Sequence, residues 1–280
     1  MSPTGKKVLK DKRIAFIGAG SMAEALIRGL LKAGAVEPES ILATGRRQER
    51  LDELQQEYGV QVFLDNAEAA GKADVVVLSV KPQILGRILD EVSEACSDSA
   101  LVISVAAGVP IAEIASSLGG DRSIWRAMPN LPAVVDAGAT AVSSGEHATE
   151  EDGRQVHAIF EAVGEVTQVD ESLMDAVTGL SGSGPAYVFM IIEALSDAGV
   201  KVGLSRRQSQ QLAAQTVLGS AKLLMETGEH PGVLKDRVTS PGGTAIAGLH
   251  TLEAGGLRTT LINAVVAATE RCKELAKKGG

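Results

Sequence analysis

The sequence predicts a parallel α/β domain over 13–169 followed by an all-α domain over 170–280, on three observations. Short β-branched runs alternate with amphipathic stretches as far as Val169. After Asp170 there is no convincing strand, and apolar residues recur at helical spacing between Gly/Pro turns. The length of 280 residues exceeds one typical domain and falls short of three. Aromatic residues make up only 2% of the chain. The core must therefore be built from Ala, Val, Ile and Leu, which suits packed helices and parallel strands.

Residues 1–12 are polar and basic, lack the apolar centre of a signal peptide and read as a flexible tail. Ile14-Ala15-Phe16-Ile17 is the first strand. Ile41-Leu42-Ala43, Val75-Val76-Val77-Leu78 and Leu101-Val102-Ile103-Ser104 follow as continuous apolar runs, as expected where both faces of a parallel sheet are covered. Shorter runs lie at Ser123-Ile124-Trp125 and Thr140-Ala141-Val142, the second a candidate for antiparallel pairing. In the second half, helices are expected over 186–198, 206–226 and 257–278. They are rich in Ala and other small residues, so they should pack against something extensive, and a second copy of the chain is the expected partner.

A formal charge of −8 and the shortness of the basic runs, of which Arg46-Arg47 and Arg206-Arg207 are examples, exclude a nucleic-acid groove. No run reaches membrane-spanning length. Cys96 and Cys272 lie far apart with no CxxC, which fits a reducing, cytoplasmic setting. His147, His157, His230 and His250 are scattered without ligand spacing, so no metal site is expected.

Directly after the first strand comes Gly18-Ala19-Gly20-Ser21-Met22-Ala23, then an amphipathic helix. This is G-x-G-x-x-A in the strand-to-helix context that makes it a Rossmann dinucleotide fingerprint. Gly18 permits the turn, Gly20 lets a pyrophosphate approach, and Ala23 allows close helix packing. The second strand ends in Thr44-Gly45-Arg46-Arg47, where an NAD enzyme usually places an acid for the ribose hydroxyls. Two guanidinium groups suit a 2′-phosphate instead, so NADPH is expected, with NADH weaker. Val80-Lys81-Pro82 should leave a strand at the cofactor edge, because proline ends the strand. Ser104-Val105-Ala106-Ala107-Gly108 ends another strand in small residues that leave room for a nicotinamide. Asn66 and Met128-Pro129-Asn130 are weaker candidates.

Three segments are unusual for a plain helical bundle: 175–185, Glu229-His230-Pro231-Gly232, and Val238-Thr239-Ser240-Pro241-Gly242-Gly243-Thr244. Within the last, Ser240 to Thr244 offers several N–H groups and two hydroxyls, which suits a nest for a carboxylate.

The chain resembles the pyrroline-5-carboxylate reductase family. The match runs through the glycine motif, Val80-Lys81-Pro82, Ala106-Ala107-Gly108, the Thr178 to Tyr187 stretch, Ser240-Pro241-Gly242-Gly243 and Leu249-His250-Thr251-Leu252-Glu253. The resemblance implies reduction of a cyclic imine to L-proline, a helical dimerisation domain, and homodimers that associate further, often as decamers. It places substrate at the dimer interface on the loop of Ser240, Gly242, Gly243, Thr244 and Ala245, with Glu171 and Thr178 nearby as candidate catalytic residues alongside Thr244. One departure stands out, since family members often have Thr where this chain has Ala245. Thr244 or water is left to serve in place of that hydroxyl. A 3-hydroxyacid dehydrogenase shares the layout but needs a catalytic Lys, which 178–187 lacks. A dinucleotide-binding regulator without turnover is the alternative from another class.

Overall fold

The computed structural model describes residues 7–279, and the chain divides into two compact units, 1–183 with 267–280, and 184–266. The first unit is built on an eight-stranded sheet in the order β3-β2-β1-β4-β5-β6-β7-β8. Its strands are β1 (Ile14–Ile17), β2 (Ile41–Thr44), β3 (Gln61–Phe63), β4 (Val75–Leu78), β5 (Leu101–Ser104), β6 (Ile124–Met128), β7 (Gly138–Ser144) and β8 (Gly164–Gln168). The first six are parallel, β7 runs antiparallel to β6, and β8 is parallel to β7. The antiparallel pairing expected near Thr140 is present. Two strands have no counterpart in the apolar runs of the sequence, β3 and β8, which are the edges of the sheet. Edge strands are half-covered, so their side chains are mixed and no continuous apolar run marks them.

Both faces of the central strands are buried, and successive residues separate into two apolar layers. Ile14 and Phe16 join Leu26, Ile27, Leu30 and Phe160 on one side, whereas Ala15 and Ile17 join Leu85, Ile88, Leu89 and Ile114 on the other. The strand period of two assigns each side chain to its layer.

The flexible tail expected over 1–12 needs correction from residue 7 on; its first six residues lie outside the described ones. Residues 7–9 form a helical turn, and Leu9 is completely buried in the first apolar layer. Two adjacent apolar residues, Val8 and Leu9, among lysines give no periodic signal, so only the tertiary fold shows that Leu9 has a socket.

The grammar of the sequence changes at 170, but the first unit continues to 183 and takes back the end of the last helix. The second unit contains helices Gly184–Lys201, Arg206–Thr227, Pro231–Arg237 and Thr244–Ala254 and the start of Leu257–Gly279. Within 184–266 only Ser196, Ser209 and Ala213 are buried among the described residues, while Phe189 is 58% and Met190 73% exposed. Unpartnered apolar surface of this kind marks an interaction face. Among the described residues no helix is long and apolar enough to cross a membrane.

Emptying the Leu9 socket leaves a cavity that the sheet side cannot refill. Leu9→Ala is expected to lower the unfolding free energy by about 2–5 kcal/mol in urea denaturation. A loss below about 0.5 kcal/mol, the range of ordinary surface changes, would show that the turn at 7–9 is not packed.

Candidate active site

The register Thr44↔Ile17↔Leu78↔Ser104 brings the C-terminal ends of β2, β1, β4 and β5 into one line. The chain order reverses between β1 and β4, and in open α/β sheets ligands bind at such a switch point. A cleft of about 530 Å³ opens there, lined by Gly18, Ala19, Gly20, Arg46, Arg47, Asn66, Val80 and Lys81 among others.

Gly18 turns the chain out of β1 with φ +106, and a Cβ there would lie 2.8 Å from the Ser79 carbonyl oxygen. Only glycine meets both conditions. The Gly18 N–H donates to Thr44 Oγ1 at 3.2 Å and the Ala19 N–H to the Thr44 carbonyl at 2.7 Å. From the other side the Ser79 hydroxyl donates to the Gly18 carbonyl at 2.8 Å. Gly20 is different. It caps helix Ser21–Ala33 with φ −83, and a Cβ there meets nothing in the chain within 4 Å. Its missing side chain leaves open space at an uncapped helix N-terminus, which is the cradle a dinucleotide phosphate fits.

Five cations line this cleft in a chain of net charge −8: Arg46, Arg47, Arg50, Lys81 and Arg87. Arg46, Arg47 and Lys81 have no ion-pair partner among the described residues and are exposed, free to meet a phosphate. Arg50 is a cleft residue that sequence reasoning missed, because Gln48-Glu49-Arg50 looks like an ordinary mixed-charge helix start. Burial works against its charge, but bonds to Glu24 and Glu53 raise its pKa overall. Its Nε also donates to the Ala19 carbonyl at 3.4 Å, so it braces the glycine turn.

Five sequence candidates do not line the cleft. Ser21 is exposed on the first helical turn, Met22 packs against the first apolar layer, and Pro82 starts helix Pro82–Val92. Ala106 is 4% exposed with its methyl in the second layer, and Ala107 is half-buried beside it. At these positions the backbone, rather than the side chain, is what a ligand could meet.

Glu171 opens a short 3₁₀ turn, and its carboxylate is already engaged. Oε1 accepts the Ile111 N–H at 2.7 Å and Arg126 Nη1 at 2.9 Å. It thus caps helix Ile111–Leu118 and pairs a buried guanidinium on β6, a positioning role that no spacing in the sequence reveals. Thr178 begins a π-helical turn, Thr178–Gly182, and its hydroxyl donates to the Met174 carbonyl at 2.9 Å. Asn130 holds this turn by donating to the Ser181 carbonyl at 3.0 Å. A π-turn opens the backbone where a function needs it more often than elsewhere in helices.

In the second unit, Ser240–Thr244 forms a tight turn closed by the Gly243 N–H to the Ser240 carbonyl at 3.0 Å, with Gly242 at φ +66. Gly243 is the N-cap of helix Thr244–Ala254 and provides no side-chain cap. The amides at the start of that helix, on Thr244 and Ala245, therefore point out unpaired, as an anion site requires. A Cβ on Gly243 would run into Ser240 Oγ.

A Rossmann sheet with a cationic cleft at its switch point and a helical second unit defines a dinucleotide-dependent oxidoreductase. The family model described as "NADP oxidoreductase coenzyme F420-dependent" matches residues 13–108, and "Pyrroline-5-carboxylate reductase dimerisation" matches 171–275. The chain belongs to the pyrroline-5-carboxylate reductase family. It is 48% identical over 270 residues to pyrroline-5-carboxylate reductase of Methanosarcina acetivorans, covering 96% of this chain and 100% of that protein. With the Escherichia coli enzyme of the same name the identity is 43%, over 95% and 99% of the two chains. The pyrroline carboxylate reductase of Plasmodium falciparum, solved with NADP bound, superposes with a TM-score of 0.86 at 33% identity, covering 96% and 99%.

A side chain at Gly18 would have to displace the Ser79 carbonyl while holding a φ that L residues rarely adopt. Gly18→Ala should weaken NADPH binding about tenfold or more by calorimetry, from about 1–3 kcal/mol of strain. An unchanged dissociation constant in the folded variant would remove the turn from the cofactor site.

Proposed function

We propose that this chain reduces 1-pyrroline-5-carboxylate to L-proline, the last step of proline biosynthesis, with NADPH as the hydride donor. The observation that carries this reading is the pairing of the Gly18–Gly20 cleft with the Ser240–Ala245 turn in a chain whose two halves match the two family models. NADPH supplies hydride to the C=N carbon when bound. Gly20 and the uncapped amides of helix Ser21–Ala33 would hold its pyrophosphate, and Arg46 and Arg47 its 2′-phosphate. NADH, lacking that phosphate, is the weaker donor.

The reaction needs position more than acid strength. A cyclic imine arrives protonated or takes a proton through a hydroxyl or water, so no Lys or His is required at the reacting nitrogen. The amides of Gly242, Thr244 and Ala245 receive the substrate carboxylate, Gly243 closes the turn with its own N–H to Ser240 and leaves the approach bare of a side chain, and the Thr244 hydroxyl stands beside them in place of the one missing at Ala245. Ser240 sets the turn. Thr178 orients the substrate from its π-turn, with Glu171 fixing the neighbouring backbone. Residues 13–169 serve as the cofactor domain and 170–280 as the dimerisation and substrate domain. The exposed apolar helices of the second unit support a homodimer, and dimers assembling into a decamer, in the cytoplasm, complete the proposal.

Mixing the protein with NADPH and pyrroline-5-carboxylate should cause loss of nicotinamide absorbance; its absence under all substrate concentrations would sink the assignment. Losing the charge-assisted phosphate contacts in Arg46→Ala/Arg47→Ala should lower the NADPH/NADH ratio of kcat/KM about ten- to a hundredfold. A ratio that stays at the wild-type value would move phosphate recognition elsewhere. Gly243→Val pushes against Ser240 Oγ and distorts the carboxylate turn. Its KM for the imine should rise about tenfold or more while the KM for NADPH holds, and equal rises in both would place the turn outside the substrate site.

A further inference from the structure

Three hydrogen bonds run from the glycine turn to a carboxylate outside the cleft. Thr44 Oγ1 accepts the Gly18 N–H at 3.2 Å and donates to Asn66 Oδ1 at 2.6 Å. Asn66 Nδ2 then donates to Glu91 Oε2 at 2.6 Å. Thr44 and Asn66 line the cleft with Gly18, whereas Glu91 does not.

The polarity of the whole chain is set at the Glu91 end. An ionised carboxylate only accepts, so the Asn66 amide must turn its NH₂ toward it. The amide oxygen then faces Thr44, whose single proton goes to Asn66 and whose lone pairs are left for the Gly18 N–H. Without the carboxylate, the amide loses the partner that distinguishes its two orientations. In the flipped orientation Nδ2 meets Thr44 Oγ1, and the Thr44 proton has lost its acceptor.

We propose that Glu91 is a positioning residue for the cofactor, acting through Asn66 and Thr44 to fix the hydrogen bonds that hold the Gly18 turn. This rests on the cofactor reading given above. In sequence Glu91 is an ordinary acid four residues after Arg87, and the structure does show that ion pair, Arg87 Nε to Glu91 Oε1 at 3.2 Å. The two roles are chemically separable. Glutamine at this position keeps a carbonyl acceptor for the Asn66 amide, although its own NH₂ no longer forbids the reverse polarity, and gives up the charge that Arg87 pairs with.

The experiment measures NADPH dissociation constants by calorimetry, and KM and kcat, for the full-length protein and for Glu91→Ala, Glu91→Gln, Thr44→Val and Thr44→Val/Glu91→Ala. Glu91→Ala should weaken NADPH binding about tenfold, with kcat and the imine KM within about twofold. Glu91→Gln, which keeps an acceptor but not an acceptor-only group, should lie between wild type and Glu91→Ala. The double variant should be no weaker than the worse single one, because both cut the same chain although the two residues do not touch. A merely structural role would lower the thermal midpoint and leave the dissociation constant alone. The proposal is overturned by wild-type affinity in Glu91→Ala, by equal weakening in Glu91→Gln, or by additive losses in the double variant. If Thr44→Val does not fold, as judged by circular dichroism, the contrast between the two Glu91 variants decides alone. Wild-type protein that fails to bind NADPH would refute the cofactor reading itself, whereas normal wild-type binding with unaffected Glu91 variants removes only this inference.

Discussion

The residue after β1 is pressed between two backbones at once, and the cofactor half of the protein is organised around that constraint. Strand β1 lies between β2 and β4 with Ile17 beside both Thr44 and Leu78, so Gly18 emerges between Thr44 and Ser79. Each neighbour fastens the turn: the Thr44 hydroxyl accepts the Gly18 N–H and its carbonyl the Ala19 N–H, and the Ser79 hydroxyl donates to the Gly18 carbonyl. A backbone bonded on both sides has no room for Cβ and no freedom to swing. The amides that follow are therefore aimed by the sheet itself, and the helix N-terminus meets a ligand without rearrangement. Preorganisation of this kind lowers the entropy that binding would otherwise cost.

The two units solve the burial problem differently. A parallel sheet with helices on both faces gives every central strand residue a covered side, so the first unit contains two complete apolar layers. Four helices and part of a fifth, arranged in the second unit, leave Phe189, Met190, Leu212 and Leu218 exposed. The helical half thus presents an interaction face, in keeping with the dimerisation model it matches over 171–275.

Charge is distributed to the same end. The chain is acidic overall, so the unpaired Arg46, Arg47 and Lys81 concentrate the positive potential where a dinucleotide would lie. Other cations near the sheet are spent on structure: Arg126 on Glu171, Arg28 and Lys32 on Asp136. Those two amino-acid partners hold Asp136 below the usual carboxylate range, Lys32 and Arg28 each donating to it.

Local chemistry decided what the sequence made legible by itself. Continuous β-branched runs, the Gly18 to Ala23 fingerprint and the Arg46-Arg47 turn act through residues adjacent in the chain, so the α/β half, the residues that line the cleft at its strand ends and the helical half could all be read from order alone. The Ser240 to Thr244 turn was legible for the same reason. Tertiary structure alone decided the remainder, because it depends on groups far apart in sequence. The edge strands β3 and β8 exist because neighbours pair with them, and Leu9 is core because a socket forms around it. Glu171 enters from the resemblance as a candidate catalytic residue, and only the fold shows that its carboxylate is held by Ile111 and Arg126, which lie 60 and 45 positions away. Asn66, a weak candidate by type, gains its place from Thr44 and Glu91, 22 and 25 positions away. A hydrogen bond acts over about 3 Å, and a sequence states nothing about which distant atoms come that near.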